Sequence, residues 1–203
     1  MNILTFDTCL DKMYVVLRTE NDILTSEIVE NTDSKYHSAF LISTIAKILN
    51  NNNLKPENID AIGTNIGPGS FTGIRACTTV ARVMAQQLNI KAVGVSSLEI
   101  LSKLTDKNPL VALDARKNKA YLWHSNGIQG AVDIDEIQSL IASGKFTVIT
   151  DDKLQPIFGG LSYQQGKYPI GEILSEIVVE KLKTSDANWA ELKPLYIQPP
   201  PMG

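Results

Sequence analysis

The sequence predicts an α/β chain built from two similar halves. Three observations carry that prediction. The chain opens on three short runs of β-branched and apolar residues with polar breaks between them. A glycine-rich bend then leads into a long helical run, and after Asp106 a second, shorter series of strands and helices begins. Strands alternating with helices in this way specify layered α/β lobes.

In the first half, ILTFDT, MYVVLRT and DILTSEIVE read as strands, joined by short polar breaks at 9–12 and 20–22. Such runs and breaks make an antiparallel meander. Ser34 caps a helix running to about Leu49, stopped by the asparagines at 50–53. Residues 59–66 form a strand, the bend NIGPGSFTGIR follows, and a helix runs from about Phe71 to Leu88. KAVGV is a further strand, and Ser96 or Ser97 caps another helix. The expected boundary puts a first lobe at 1–105 and a smaller second lobe, with a proline-rich tail, at 106–203. In that second lobe PLVALDA and KAYLWHS are strands joined by DARKN, DEIQSLIA is a helix and FTVITD a strand. IGEILSEIVVEKLK is its last helix, and the tail LKPLYIQPPPMG is extended and loosely held.

Composition bounds the function. With 43% apolar residues, the chain has material for a core without disulfide staples. Cys9 and Cys77 are too few for a disulfide framework and suit a reducing cytoplasm. No apolar run approaches the ~18 residues of a membrane span, and MNILTFDT lacks a basic-then-apolar leader pattern. A formal net charge of −3 argues against strong unaided nucleic-acid binding. It leaves room for contact with RNA inside a larger complex.

The glycine bend matches none of the usual nucleotide or nucleophile signatures. No Gly-Lys-Ser/Thr follows it, its glycines space as GxGxxxG, and Pro68 stands where a nucleophile elbow needs glycine. Two readings stay open. It is a strand-to-helix turn, or it is an anion cradle in which helix N–H groups, Gly67, Gly69, Ser70, Thr72 and Arg75 meet phosphate. Asp7 and Thr8, at the end of the first strand, either hold a hydrated Mg²⁺ near that phosphate or cap the turn. His37 and His124 form no metal-spaced pair, and Cys9 and Cys77 lie far apart in sequence, so no metal site is expected. His37 reads as a capping or surface residue, and no catalytic set stands out.

The two N-terminal helices carry more apolar surface than one stripe requires. In the first, Leu41, Ile45 and Ile48 are joined by Ala39, Phe40, Ile42, Ala46 and Leu49. In the second, Gly73, Cys77, Ala81 and Ala85 recur every four residues beside Val80, Val83, Met84 and Leu88. This is ordinary core packing or a protein–protein interface, the interface set being Phe40, Leu41, Ile45, Ile48, Gly73, Cys77, Val80, Ala81, Met84 and Ala85. The DARKNK stretch at 114–119 is likewise a solvated turn or a docking patch.

Taken in order, ILTFDT…MYVVL, HSAFLISTIAKIL, LKPENIDAIGTNIGPGSFTGIR, GVSSLEIL, ALDARKNKAY and KPLYIQ resemble the bacterial TsaB (YeaZ) family over residues 2–198. The resemblance implies a two-lobed actin-like ATPase fold of the RNase H-like class, with tandem βββαβαβα lobes. It also implies a non-catalytic subunit of the machinery that makes N6-threonylcarbamoyladenosine at position 37 of tRNA. That subunit pairs through its two N-terminal helices with a catalytic paralogue, TsaD, and is joined by a small ATPase, TsaE. The tRNA is met only through the complex, and a homodimer is the alternative when the chain is alone. No tightly bound cofactor is implied, with ATP or ADP at the complex interface as the candidate ligand. TsaD carries a metal-binding HxxxH on its first helix; here His37 is followed four residues on by Leu41. Other departures are Gln198, where the end motif around Pro194, Tyr196 and Ile197 usually has arginine, and Lys119 in the hairpin of Asp114, Ala115, Arg116 and Lys117. The rival reading is a nucleotide-dependent enzyme of the actin-like class, an ATPase or small kinase resting on Asp7 and the glycine bend.

Overall fold

The computed structural model describes residues 1–31, 36–125, 127–184 and 187–198. The first strands are β1 (Ile3–Asp7), β2 (Met13–Arg18) and β3 (Ile23–Val29). A 3₁₀ turn, His37–Phe40, leads into α1 (Leu41–Asn51), followed by β4 (Ala61–Asn65), α2 (Phe71–Leu88), β5 (Lys91–Val95) and α3 (Ser97–Ser102). Then come β6 (Pro109–Arg116), β7 (Lys119–His124), β8 (Gly127–Asp133), α4 (Ile134–Ser143) and β9 (Thr147–Thr150). The short α5 (Gln155–Phe158), β10 (Leu161–Ser162) and α6 (Ile170–Thr184) complete the series. The expected cap Ser34 lies outside the described residues.

One unit comprises Met1–Ser97 and Pro169–Leu195. Its sheet has the order β3-β2-β1-β4-β5: β1, β2 and β3 form the antiparallel meander, while β4 and β5 run parallel to β1. Side chains alternate along each strand, so the sheet's two faces need separate cover. Leu4, Phe6, Val15, Leu17 and Ile62 point into a core completed by Leu41, Ile45, Ile48 and Leu49 of α1 and by Ile74, Cys77, Ala81 and Ala85 of α2. The opposite face takes α6. There the missing side chain of Gly63 leaves room for Val178, and Gly171 fits against Tyr14 and Val16.

The expected boundary differs from this arrangement. Residues 169–195 fall with the first unit, not the second. The cause is α6: its buried Leu174, Ile177 and Val178 face a sheet that would otherwise expose Thr5, Tyr14 and Val16. The tail also departs from expectation as far as Leu195. Leu192 is buried, and Leu195 N donates to the Ile66 carbonyl at 2.8 Å.

The other unit comprises Leu98–Tyr168 and the chain from Tyr196. Its sheet, β10-β9-β6-β7-β8, repeats the first connectivity: an antiparallel β6–β7–β8 meander with β9 parallel to β6 and β10 parallel to β9. Leu110, Ala112, Ala120 and Leu122 pack against Ile137 of α4 and Phe158 of α5. The repeat is reduced, with four residues in α5 and two in β10.

Candidate functional site

The glycine bend lies where β4 delivers the chain to α2, beside the turn that follows β1. Asn65 organises it from below. Its Oδ1 accepts from Gly67 N at 2.8 Å and from Ser97 Oγ at 3.0 Å, and its Nδ2 donates to Asp7 Oδ2 at 2.9 Å. Asp7 Oδ1 accepts from Cys9 N at 2.5 Å. Gly67 has φ of 101°, a region that favours glycine, and its peptide bond to Pro68 is cis.

The bend is stitched to the β1–β2 turn. Ser70 N donates to the Cys9 carbonyl at 2.8 Å, and Thr8 Oγ1 donates to the Gly73 carbonyl at 2.8 Å. A Cβ on Gly69 would stand 2.2 Å from Cys9 O, and one on Gly73 would stand 1.7 Å from Thr8 O. These glycines answer to the chain's own backbone. Ser70 then caps α2, its Oγ accepting from Gly73 N at 3.2 Å.

The expected phosphate-contact residues therefore divide. Asp7, Thr8 and Gly67 are buried and bonded within the chain, whereas Gly69, Ser70, Thr72 and Arg75 lie at the surface. The Arg75 guanidinium sits over the Phe71 ring, 4.0 Å from its centroid. The Asp7 carboxyl is fully buried. Burial pushes its carboxyl up to about 6 from the usual 3.8, outweighing the hydrogen bonds from Asn65 and Cys9 that favour the charge.

His37, expected at a cap or on the surface, is buried. Its Nδ1 lies 2.7 Å from Asn31 Oδ1 and its Nε2 lies 3.3 Å from the Thr8 carbonyl, so the ring ties the approach to α1 to the β1–β2 turn. Burial also raises the nearby Asp11 carboxyl, against the opposing pull of Lys12 and His37.

A second correction concerns the cysteines. They lie far apart in sequence, yet Cys9 Sγ, Cys77 Sγ and an Asp7 carboxylate oxygen lie within 4.8 Å of one another. All three are buried and of metal-ligating type. Sequence spacing could not reveal this, because β1 and α2 meet only through the sheet.

The expected interface set also divides. Leu41, Ile45, Ile48, Gly73, Cys77, Ala81 and Ala85 point into the core beneath α1 and α2, so for them the packing reading is the correct one. Their periodicity marked the inward stripe of each helix. Phe40, Val80 and Met84 are partly buried. The outward apolar residues are others: Ile42 at 69% exposure, Val83 at 52% and Phe71 at 43%.

In the second unit, Asp114 is used internally. It accepts from Lys153 Nζ at 2.5 Å and from Arg116 N at 3.1 Å, while Asp114 N donates to Asp151 Oδ2 at 2.7 Å. Arg116, Lys117 and Asn118 all take positive φ in a tight exposed turn, and Lys119 pairs with Asp133 at 3.3 Å. Among the described residues, no helix is long and apolar enough to cross a membrane.

Two lobes, each a meander extended by two parallel strands, have the two-lobed actin-like, RNase H-like α/β fold. A protein-family model described as "TsaD: tRNA N6-adenosine threonylcarbamoyltransferase" matches residues 23–142. The tRNA threonylcarbamoyladenosine biosynthesis protein TsaB of Bacillus subtilis is 31% identical over 142 residues, covering 67% of this chain and 61% of that protein. The TsaB of Buchnera aphidicola from Schizaphis graminum is 28% identical over 151 residues, covering 67% of this chain and 70% of its own. The YeaZ structure from Pseudomonas aeruginosa superposes with a TM-score of 0.77 at 19% identity, over 97% of this chain and all of that one, and shares the fold. The chain belongs to the TsaB (YeaZ) family.

Proposed function

We propose that this chain is a non-catalytic subunit of the cytoplasmic machinery that forms N6-threonylcarbamoyladenosine at position 37 of tRNA. Family membership supports a role in that modification, since the Bacillus subtilis relative is named for threonylcarbamoyladenosine biosynthesis. The observation that carries the non-catalytic reading is the fate of the strand-end and helix-start residues. Asp7 is sealed, and Leu41, standing where the catalytic paralogue has its second metal-binding histidine, is a core residue. His37 has its ring nitrogens engaged by Asn31 and Thr8.

The partner is a TsaD-type protein, and the docking surface is the outward side of α1 and α2 rather than their inward stripes. Ile42, Val83 and Phe71 supply apolar contact there, with Val80 and Met84 partly exposed beside them. Apolar residues of this kind, aromatics and Met among them, form the buried centre of protein–protein interfaces. In the partner's absence the same surface serves a homodimer. TsaE and a nucleotide join at the assembled interface, where Ser70, Thr72 and Arg75 at the start of α2 are the groups able to meet phosphate.

The deciding assay is threonine incorporation into unmodified tRNA by the adenylate-forming enzyme, TsaD and TsaE, with and without this chain. Modification that needs the chain, with no activity from the chain alone, supports the proposal. Equal rates without it overturn the scaffold role. ATP turnover by the isolated chain would instead revive the nucleotide-dependent enzyme.

A further inference from the structure

We propose that Cys9 and Cys77 are a redox pair whose oxidation makes an intramolecular disulfide joining the turn after β1 to the second turn of α2. The two sulfurs lie within 4.8 Å of each other, and neither is in a disulfide. Their surroundings differ. Cys77 Sγ accepts the Thr8 backbone N–H at 3.1 Å and stands 3.1 Å from Thr8 Oγ1, whose own proton goes to the Gly73 carbonyl. Cys9 Sγ donates to the Asn65 carbonyl at 3.3 Å. Burial holds the Cys9 thiol well above its ordinary range, with Cys77 and Asp7 adding to the effect. Cys77, whose sulfur accepts a backbone N–H while that of Cys9 donates to a carbonyl, is the sulfur that attacks the oxidant, and Cys9 is the resolving one.

The pocket is closed, so the oxidant is a small hydroperoxide and not a bulky disulfide. Cys77 sulfur attacks the peroxide. An S–O bond forms, the O–O bond breaks, and the departing hydroxide takes the Cys77 proton as water. Cys9 sulfur then attacks the sulfenic sulfur. The S–S bond forms, the S–O bond breaks, and hydroxide leaves with the Cys9 proton as a second water. Two thiols and one peroxide become one disulfide and two waters, the sulfurs oxidised and the peroxide oxygens reduced.

The cross-link fixes the element that carries the outward face of α2. Cys9 also lies one residue from Thr8, whose hydroxyl already meets Gly73 and whose carbonyl meets His37. An oxidised chain therefore keeps the bend and the start of α2 in place when the rest of the first unit is stressed.

The test treats the folded native chain with hydrogen peroxide at neutral pH until a free small thiol in the same tube is consumed. Intact mass and peptide mapping then follow. The expected product has lost two hydrogens, links the peptides containing Cys9 and Cys77, unfolds at higher urea and is restored by dithiothreitol. In Cys9→Ser, which lacks the resolving sulfur, peroxide is expected to leave one sulfenic acid at Cys77, trapped by dimedone when the oxidised protein is then unfolded in urea. Two intact thiols in the native chain, sulfinic acids in place of a cross-link, or a linkage formed only after unfolding in urea would each overturn the pair.

Discussion

Gly73 lies directly under the carbonyl of Thr8, so close that a Cβ would stand 1.7 Å from its oxygen. The obstacle is backbone on both sides. Thr8 cannot retreat, because its hydroxyl donates to the Gly73 carbonyl and its N–H to Cys77. Gly73→Ala must therefore push α2 off the β1–β2 turn. The expected cost is about 3 kcal/mol, at the upper end of overpacking penalties. It is read as a drop in urea midpoint, and a midpoint within error of the parent would contradict the packing described.

Asp7 gives a pH signature. Its carboxyl is raised to about 6 in the folded chain against 3.8 unfolded. The folded state thus holds the proton more tightly, and the stability this contributes is full below about 3.8 and lost as pH rises through 6. At 1.36 kcal/mol per pKa unit the loss is about 3 kcal/mol. Asp7→Asn cannot ionise, so the difference in stability between parent and variant should change by that order between pH 4 and 7, the parent losing ground. A pH-independent difference would show that Asp7 is not a buried titrating group.

Outward and inward residues of α2 should respond differently to charge. Ala81 is fully buried, so Ala81→Glu places a carboxylate in the core and should unfold the first unit. Val83 is half exposed, as is Ile42 more fully on α1, so Val83→Asp and Ile42→Asp should keep the parent circular dichroism and melting temperature. If the outer face docks a TsaD-type partner, each should weaken that pairing at least tenfold, by about 1.4 kcal/mol or more. Parent-like affinity in both folded variants would move the interface elsewhere.

The contrast between these residues explains what was legible in the sequence. Strand runs, the helix from about Phe71 and the helix start at Ser96 or Ser97 follow from local pattern, and the structure has β1, β2, β3, α2 and α3 at those places. The weak β8, GIQGAVD, is absent from the sequence reading, because a glycine-rich, half-exposed strand lacks alternation strong enough to see. The brief α5 and β10 are too short to carry a period. Small residues at 73, 77, 81 and 85 marked one face of α2, but periodicity alone does not say whether a face meets its own sheet or another protein. The contact between Cys9 and Cys77 and the burial of His37 depend on which strand lies beside which helix, information held in the topology and not in any local window.

The helix α6 supplies the last test, because it completes a unit whose other segment, Met1–Ser97, ends far earlier in the chain. Val178 fills the space left by Gly63, whose own Cβ would stand 2.3 Å from a Val178 methyl and 3.0 Å from a Thr5 methyl. Two changes probe that fit from opposite sides. Val178→Ala empties the space and should cost about 1–3 kcal/mol through lost burial and a cavity. Gly63→Ala fills it and should cost a similar amount by overpacking. Together they should partly cancel: the small side chain at 178 vacates the volume that the new methyl at 63 occupies, so the double variant should be more stable than the sum of the single losses by about 1 kcal/mol. A urea-denaturation cycle measures this directly. Strictly additive losses would mean that α6 does not pack against β4 in solution, and residues 169–195 would then belong with the second lobe, as the sequence alone suggests.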